Sequence, residues 1–198
     1  MAGRPRTLST PARSPLSPEF DERTFRSALG RFATGVIVLT VGPRRNPHAM
    51  TANAFMSGSL APPLVVVSVG LKARMHERIM RARRFGVSIL ETEQEKESRH
   101  FAGQPVARFA PRFAGLGGVP VLARAAVALA ARVLHRYTCG DHTLVVGEVE
   151  RLEVDTFPSP PLVFYNGRYR ELVPIVDAPG RSPEIFPSFF LAEQRGRP

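Results

Sequence analysis

Short apolar segments, several of them bounded by glycine or proline, recur through the middle of the chain and favour a β-rich fold. Residues 36–41, 64–69 and 85–90 are rich in valine, isoleucine and leucine, and the β-branched members suit the pleated surface of a sheet. Residues 146–154 alternate between apolar and polar side chains, as a strand with one buried face does. Counting all such segments gives about six or seven strands with two or three short helices, which indicates a mainly β fold, a β-barrel with helical insertions.

The other segments are assigned from the same patterns. The continuous apolar character of residues 64–69 predicts a strand buried on both faces. Residues 105–118 are predicted to be a loop anchored by Phe109 and Phe113. Further strands are expected at residues 47–53, forming a hairpin with 36–41, at 125–137 and at 162–165; helices are expected at 21–32, capped by Asp21, at 73–82 and at 93–101.

The length of 198 residues suits one domain, which we place at residues 19–172. Residues 1–18 are rich in proline and lack the apolar core of a signal peptide, so we expect a disordered N-terminal arm. Residues 173–198 have no clear period and form a C-terminal extension. The chain has a single cysteine, Cys139, which excludes an internal disulfide and fits a cytoplasmic location. No apolar run long enough to cross a membrane is apparent.

The net charge of +10 comes almost entirely from arginine. A nucleic-acid-binding protein concentrates its basic residues on one element, interleaved with aromatic residues. Here they are dispersed from Arg4 to Arg197, so we expect no nucleic-acid partner. Two interpretations remain open: a compositional bias of the genome, or a basic surface that attracts phosphate-bearing cofactors.

Several familiar signatures are absent from the sequence. It contains no Gly-x-Gly-x-x-Gly, no phosphate-binding P-loop and no Gly-x-Ser-x-Gly nucleophile elbow. The histidines show neither a His-Glu-x-x-His pattern nor a zinc-like spacing with the cysteine, so no metal site is predicted; they are His48, His76, His100, His135 and His142.

One run of small polar residues carries a resemblance to a known family. The run is Thr51-Ala52-Asn53-Ala54-Phe55-Met56-Ser57-Gly58-Ser59-Leu60-Ala61-Pro62-Pro63-Leu64. It resembles the Thr-Ala-Asn-Ser-Phe-x-Ser-x-Ser-Leu-x-Pro-Pro-Leu signature of the flavin reductase family. Further matches follow in the family's order at residues 32–36, 84–90, 94, 101–103, 140–143, 147–149, 161–165 and 167–169.

The resemblance implies a fold and an activity. It implies a split β-barrel of the FMN-binding type and an NAD(P)H:flavin oxidoreductase, which reduces FMN or FAD by hydride transfer from NADH or NADPH. It also implies a homodimer and a partner monooxygenase that receives the reduced flavin. Two alternatives remain open: an oxidoreductase that holds its flavin tightly and acts on its own small molecule, and a non-catalytic flavin-binding module.

The resemblance also implies site residues. The small hydroxyl residues of the signature run are expected to form a loop after the strand at 47–53. Small residues with hydroxyl or amide groups can serve the polar edge of a flavin ring without bulk, although they can equally satisfy the backbone of a turn. His142 would lie near the flavin and the nicotinamide and is the candidate catalytic residue. The candidate cofactor-binding residues are Thr51, Ala52, Asn53, Ala54, Ser57, Gly58, Ser59, Leu60, Ser68, Lys72, Arg74, Phe101 and Tyr169.

The chain departs from the family's pattern at several of these positions. Lys72 and Arg74 stand where the family commonly has two hydroxyl residues that hold the flavin phosphate. They could bind phosphate through charge at a helix start, or they could be ordinary solvated basic residues. Ala54, Met56 and Gly58 replace a serine, a threonine and a bulkier residue of the family's signature run.

Overall fold

The computed structural model describes residues 20–156 and 160–172. Within these ranges there are three α-helices: α1 (Glu22–Leu29), α2 (Arg74–Arg81) and α3 (Glu95–Phe101), the last preceded by a 3-10 turn at Thr92–Gln94. The strands are β1 (Thr34–Gly35), β2 (Ile37–Val41), β3 (His48–Ala52), β4 (Phe55–Leu60), β5 (Pro63–Gly70), β6 (Arg84–Ile89), β7 (Phe113–Leu116), β8 (Val119–Leu122), β9 (Val127–Cys139), β10 (His142–Val154), β11 (Val163–Tyr165) and β12 (Arg168–Arg170). The predicted arm at 1–18 and extension at 173–198 lie outside the described residues.

Seven strands form one antiparallel sheet in the order β3-β2-β6-β9-β10-β5-β4. Its two edge strands, β3 and β4, are consecutive in the chain and are joined only by Asn53 and Ala54. A two-residue connection can join opposite edges only if the sheet curls back on itself. The result is a barrel with an open seam between β3 and β4, and the seam lies within the run of small polar residues.

The inside of the curled sheet is the main core. Leu39, Val67 and Val145 point inward from three strands, and Met75 and Ile79 of α2 pack against them. Each of these side chains is almost completely buried. Burying one large aliphatic side chain contributes about 1.5–3 kcal/mol, so this cluster is the principal source of stability.

A second layer covers the other side of β2. The short strands β1, β11 and β12 form a three-stranded sheet, and β7 pairs with β8 in a separate hairpin. Buried Val38, Leu90 and Leu162 connect these pieces to the main sheet, with Phe101 and Tyr169 packed against them.

Most predicted elements are confirmed. Asp21 caps α1 by accepting a hydrogen bond from the Thr24 amide at 2.7 Å. The predicted strand at residues 125–137 corresponds to β9, and the hairpin of residues 36–41 with 47–53 corresponds to β2 and β3.

Three predictions about local structure are wrong. In β5, Val65, Val67 and Val69 are buried while the residues between them are only half-buried, because the outer face of this part of the sheet is not covered. The predicted loop 105–118 contains β7, which turns into β8 through two glycines with positive φ. Residues 55–60 form a strand that pairs with β5 rather than a loop.

Candidate functional site

The seam of the barrel contains most of the predicted cofactor-binding residues. Thr51 and Ala52 end β3 and are half-buried, whereas Asn53 and Ala54 are exposed. The Ala54 carbonyl accepts a hydrogen bond from the Ser68 amide at 3.0 Å. This bond holds the connection against β5 and places Ser68, another predicted site residue, beside Ala54.

The small residues after the connection lie on an edge strand. Ser57 is opposite Val65 and Ser59 is opposite Leu64, so Gly58 lies in an irregularity between two paired positions. Ser57, Gly58 and Leu60 are exposed, and Ser59 is half-buried. One side of an edge strand has no neighbouring strand, so its backbone N–H and C=O groups are available to a ligand.

His142 lies at the far end of the same outer face, opposite Gly70 of β5. A Cβ at Gly70 would be 3.5 Å from His142 Nε2, so the imidazole ring lies directly over this glycine. His142 Nδ1 is 2.8 Å from a carboxylate oxygen of Asp141, and 46% of the side chain is exposed. This contact occupies the Nδ1 side of the ring, so the Nε2 side is the one that can meet another partner.

The start of α2 lies next to His142. The Leu71 amide donates to the Asp141 carbonyl at 2.9 Å, and His76 Nε2 lies 2.9 Å from the hydroxyl of buried Thr143. Together these bonds fix α2 against β10. Lys72 and Arg74 are exposed at this helix start. Its N-cap residue, Ala73, has no side chain that could accept from the first-turn N–H groups, and of these the His76 amide donates to the Ala73 carbonyl at 2.9 Å, so the amides of Arg74 and Met75 are the ones that could meet an anion.

Thr51 and Tyr169 are joined through a residue that sequence reasoning missed. The Thr51 hydroxyl donates to the Ser98 carbonyl at 2.6 Å, and the Ser98 hydroxyl lies 2.7 Å from the Tyr169 hydroxyl. The guanidinium of Arg99 lies over the Tyr169 ring, 4.9 Å from its centre. Phe101 packs in the same cluster. The hydroxyls of Thr51 and Tyr169 are therefore engaged within the protein, and no motif signalled Ser98.

The predicted residues thus form two connected groups. One is a strip that runs along the outer face from the Asn53–Ala54 connection through Ser68 and Gly70 to His142, with Lys72 and Arg74 at its end. The other consists of Phe101 at the end of α3 and Tyr169 of β12, and Ser98 links Tyr169 to Thr51 at the end of β3. Within residues 20–156 and 160–172, no group of three His, Cys, Asp or Glu side chains is placed to hold a metal ion.

No helix in the part of the chain that the structure describes is long and apolar enough to cross a membrane. The longest α-helices, α1 and α2, have eight residues each.

Comparison with known proteins agrees with this geometry. Residues 29–173 match the flavin reductase like domain family. The chain is 46% identical over 160 residues to an NADH-dependent flavin reductase of a Rhodococcus species, covering 79% of this chain and 90% of that protein. It is 40% identical over 152 residues to the reductase component of 4-hydroxyphenylacetate 3-monooxygenase from Thermus thermophilus, covering 77% and 97%.

Among solved structures, the chain is similar to the NADH:FAD oxidoreductase of Streptomyces globisporus, determined in complex with NAD and FAD fragments. The TM-score is 0.73 and the identity 38%, covering 83% of this chain and 99% of that one. The expected split-barrel fold is confirmed by this match. The fold, the matched residues 29–173 and relatives of this identity lead to one conclusion: the chain belongs to the flavin reductase family.

Proposed function

We propose that this chain is an NADH-dependent flavin reductase, which transfers a hydride from NADH to FMN or FAD and supplies the reduced flavin to a partner monooxygenase. The observation that carries the proposal is the continuous strip from the Asn53–Ala54 connection to His142 on one open face. The relatives agree: one is an NADH-dependent flavin reductase and another is the reductase component of a monooxygenase.

The residues of the seam fit the polar edge of a flavin. The free backbone groups of β4 and the hydroxyls of Ser57 and Ser59 provide donors and acceptors without bulk. Gly58 has no side chain to cover the strand at this point. Bound flavin supplies the hydride-accepting chemistry, and the protein contributes binding and orientation. We therefore assign residues 51–54 and 57–60 together with Ser68 to flavin binding.

His142 is the residue we assign to orienting the reacting groups. Asp141 holds its Nδ1 side, which fixes the ring plane over Gly70 and directs the Nε2 side toward the open strip. Hydride transfer needs no proton at the reacting carbon, so His142 acts by positioning the nicotinamide or the flavin rather than as an obligatory acid. Lys72 and Arg74, with the first two N–H groups of α2, are assigned to a phosphate.

Phe101 and Tyr169 have an indirect role in this proposal. Tyr169 bonds to Ser98 through its hydroxyl and carries Arg99 on its ring, so both its polar group and one of its faces are occupied. Phe101 packs against the same cluster. We infer that these two residues support Thr51 and hence the seam.

We further propose that two copies of the chain associate through the outer face of β4, β5, β9 and β10. Half-exposed apolar side chains cover this face, with Met56 59% and Tyr137 53% exposed and Leu64, Val66 and Val146 between them. A contiguous apolar surface of this kind marks an interaction site. A homodimer formed here would enclose the strip between two subunits. Light scattering of the purified protein tests this, and a monomer at micromolar concentration would contradict it.

We propose that the flavin exchanges with solution and is not permanently held, because reduced flavin has to leave the protein to reach a separate monooxygenase, as the reductase component among the relatives suggests. Gel filtration distinguishes the two cases: exchangeable flavin is lost from the protein, whereas a prosthetic flavin leaves the protein fraction yellow. The single reduced Cys139 is in keeping with a cytoplasmic site of action.

The activity is tested by following NADH oxidation at 340 nm with purified protein. We expect the rate to rise severalfold when FMN or FAD is added. A protein that shows no stimulation by either flavin, with either NADH or NADPH, is not a flavin reductase. Flavin binding without any turnover would favour the non-catalytic module.

A further inference from the structure

His142 is held in place through both of its neighbours in the chain. On one side, the Asp141 carbonyl accepts a hydrogen bond from the Leu71 amide at 2.9 Å. On the other side, the hydroxyl of Thr143 lies 2.9 Å from Nε2 of His76 on α2. Both bonds join the start of β10 to residues 71–76, so the backbone before and after His142 is fixed to the same part of the chain.

The bond between Thr143 and His76 lies on the opposite face of the sheet from His142. Successive side chains of a strand point to opposite faces, and Thr143 is 2% exposed whereas the His142 side chain is 46% exposed. On the inner face, the neighbours of Thr143 are Val69 of the paired strand and Val145, both fully buried and apolar. A hydroxyl in such surroundings needs a hydrogen-bond partner, and His76 provides one.

The glycine beneath the His142 ring belongs to the same turn. Gly70 lies opposite His142, and its carbonyl accepts a hydrogen bond from the Ala73 amide at 3.0 Å. The Ala73 carbonyl accepts from the His76 amide at 2.9 Å. His76 is therefore joined through its backbone to the turn below the imidazole ring, and through its side chain to the strand that carries the ring.

We propose that His76 is a positioning residue for the reductase reaction, which sets the orientation of His142 through Thr143. The inference rests on the proposed function, because His142 is assigned there to orienting the nicotinamide or the flavin. His76 is half-buried on the inner side of β10, whereas the strip is on the outer side, so His76 acts through His142. A small displacement of an orienting group is enough to weaken productive binding of a substrate.

A double-mutant cycle between His76 and His142 tests whether one residue acts through the other. We expect His76→Ala to raise KM for NADH about threefold, with a smaller change in kcat, because a hydrogen bond that holds the strand of His142 is lost. In a protein that already carries His142→Ala, the same substitution should leave KM unchanged. A similar rise in both backgrounds, or no rise in either, overturns the proposal.

Two further variants separate the loss of this bond from a general weakening of α2. His76→Gln keeps an amide that can bond to the Thr143 hydroxyl, so KM for NADH should stay close to the wild-type value. Arg81→Gln is the matched control on the same helix, because the Arg81 side chain is 78% exposed and pairs with Glu77. A rise in KM in Arg81→Gln equal to that in His76→Ala would assign the effect to helix stability and overturn the proposal.

NMR spectra of the histidines provide a measurement that does not depend on turnover. The imidazole signals of His142, identified by their loss in His142→Ala, should shift in His76→Ala and stay in place in His76→Gln. Thr143→Val removes the same bond with a side chain of nearly the same shape, so it should shift these signals even if His76→Ala does not fold. Unshifted signals in Thr143→Val overturn the proposal. If the protein oxidises no NADH with any flavin, the proposed function fails, and the spectra still decide whether His76 fixes His142.

Discussion

The hydroxyl of Tyr169 bonds to a buried group, so its removal has a predictable cost. Ser98 is 0% exposed, and its hydroxyl lies 2.7 Å from that of Tyr169. Tyr169→Phe keeps the ring in its cluster but leaves the Ser98 hydroxyl without this partner. A buried hydroxyl that loses its partner costs about 1–3 kcal/mol, so we expect the free energy of unfolding to fall by roughly 1–2 kcal/mol.

A double-mutant cycle isolates this bond. Ser98→Ala alone should cost about 1 kcal/mol, because half-buried Tyr169 can still bond to water. Combining it with Tyr169→Phe removes both partners, and the double variant should be less destabilised than the sum of the singles by about 1 kcal/mol. Tyr165→Phe is the control: this tyrosine lies on the same hairpin, and its hydroxyl bonds to no described residue.

The assay combines urea unfolding with steady-state kinetics. The backbone carbonyl of Ser98 also accepts a hydrogen bond from the Thr51 hydroxyl, and Thr51 lies two residues before the Asn53–Ala54 connection. A variant that loosens α3 should therefore raise KM for flavin more than KM for NADH. If the losses of unfolding free energy in the two single variants add up to the loss in the double variant, the bond between Ser98 and Tyr169 is refuted. A loss of stability with both KM values unchanged would refute its connection to the flavin site.

The remaining predictions concern other parts of the molecule. Gly147→Ala should destabilise the protein by about 1–3 kcal/mol in thermal unfolding, because the new Cβ would lie 2.6 Å from the Phe85 ring. His142→Ala should raise KM for NADH at least severalfold with a smaller change in kcat at saturation; an unchanged KM would argue against its orienting role. The Arg84 guanidinium lowers the pKa of Glu150 from 4.5, so their pairing stabilises the fold above that pH and is lost as the pH falls through the lowered value. In Arg84→Gln, the free energy of unfolding should therefore fall less as the pH drops below 4.5 than it does in the wild-type protein, as measured by urea unfolding at several pH values.

Elements with strong local signals were predictable from the sequence. The strands β2, β5 and β6 consist of apolar runs with β-branched residues, which fit a pleated surface, and Asp21 caps the start of α1. The order of the family-like segments also placed the signature run, His142 and Tyr169 in one domain. None of these predictions required knowledge of which strands are neighbours.

The edge strand β4 was not predictable because its own sequence is weak. Met56-Ser57-Gly58-Ser59 has the small polar composition of a turn. It becomes a strand because it pairs with β5, whose own sequence strongly favours a strand. The register of this pairing shifts between Ser57 and Ser59, and Gly58 lies at the shift. The outcome is decided by the neighbouring strand rather than by local propensity.

Ser98 and the β7–β8 hairpin escaped prediction for related reasons. Ser98 is one polar residue in a charged helix, and only the packing of α3 on β3 and β12 shows that it is buried. The hairpin has strands of four residues each, too short for a period to be recognised, and Gly117 and Gly118 suggested a loop. Its burial follows from contacts with the main sheet that are distant in sequence.

The open seam connects the fold to the proposed activity. An unpaired edge strand is a liability, because its free backbone groups can recruit other strands. Full closure of the barrel through pairing of β3 with β4 would remove that liability but would use up the same N–H and C=O groups. Here Asn53 and Ala54 keep the two edges adjacent without pairing them. The Ser68–Ala54 bond ties the connection to β5, and the Thr51–Ser98 bond ties the end of β3 to α3. In the proposed flavin site, incomplete closure leaves the backbone groups of β4 unpaired, so that they can serve the polar edge of the ring.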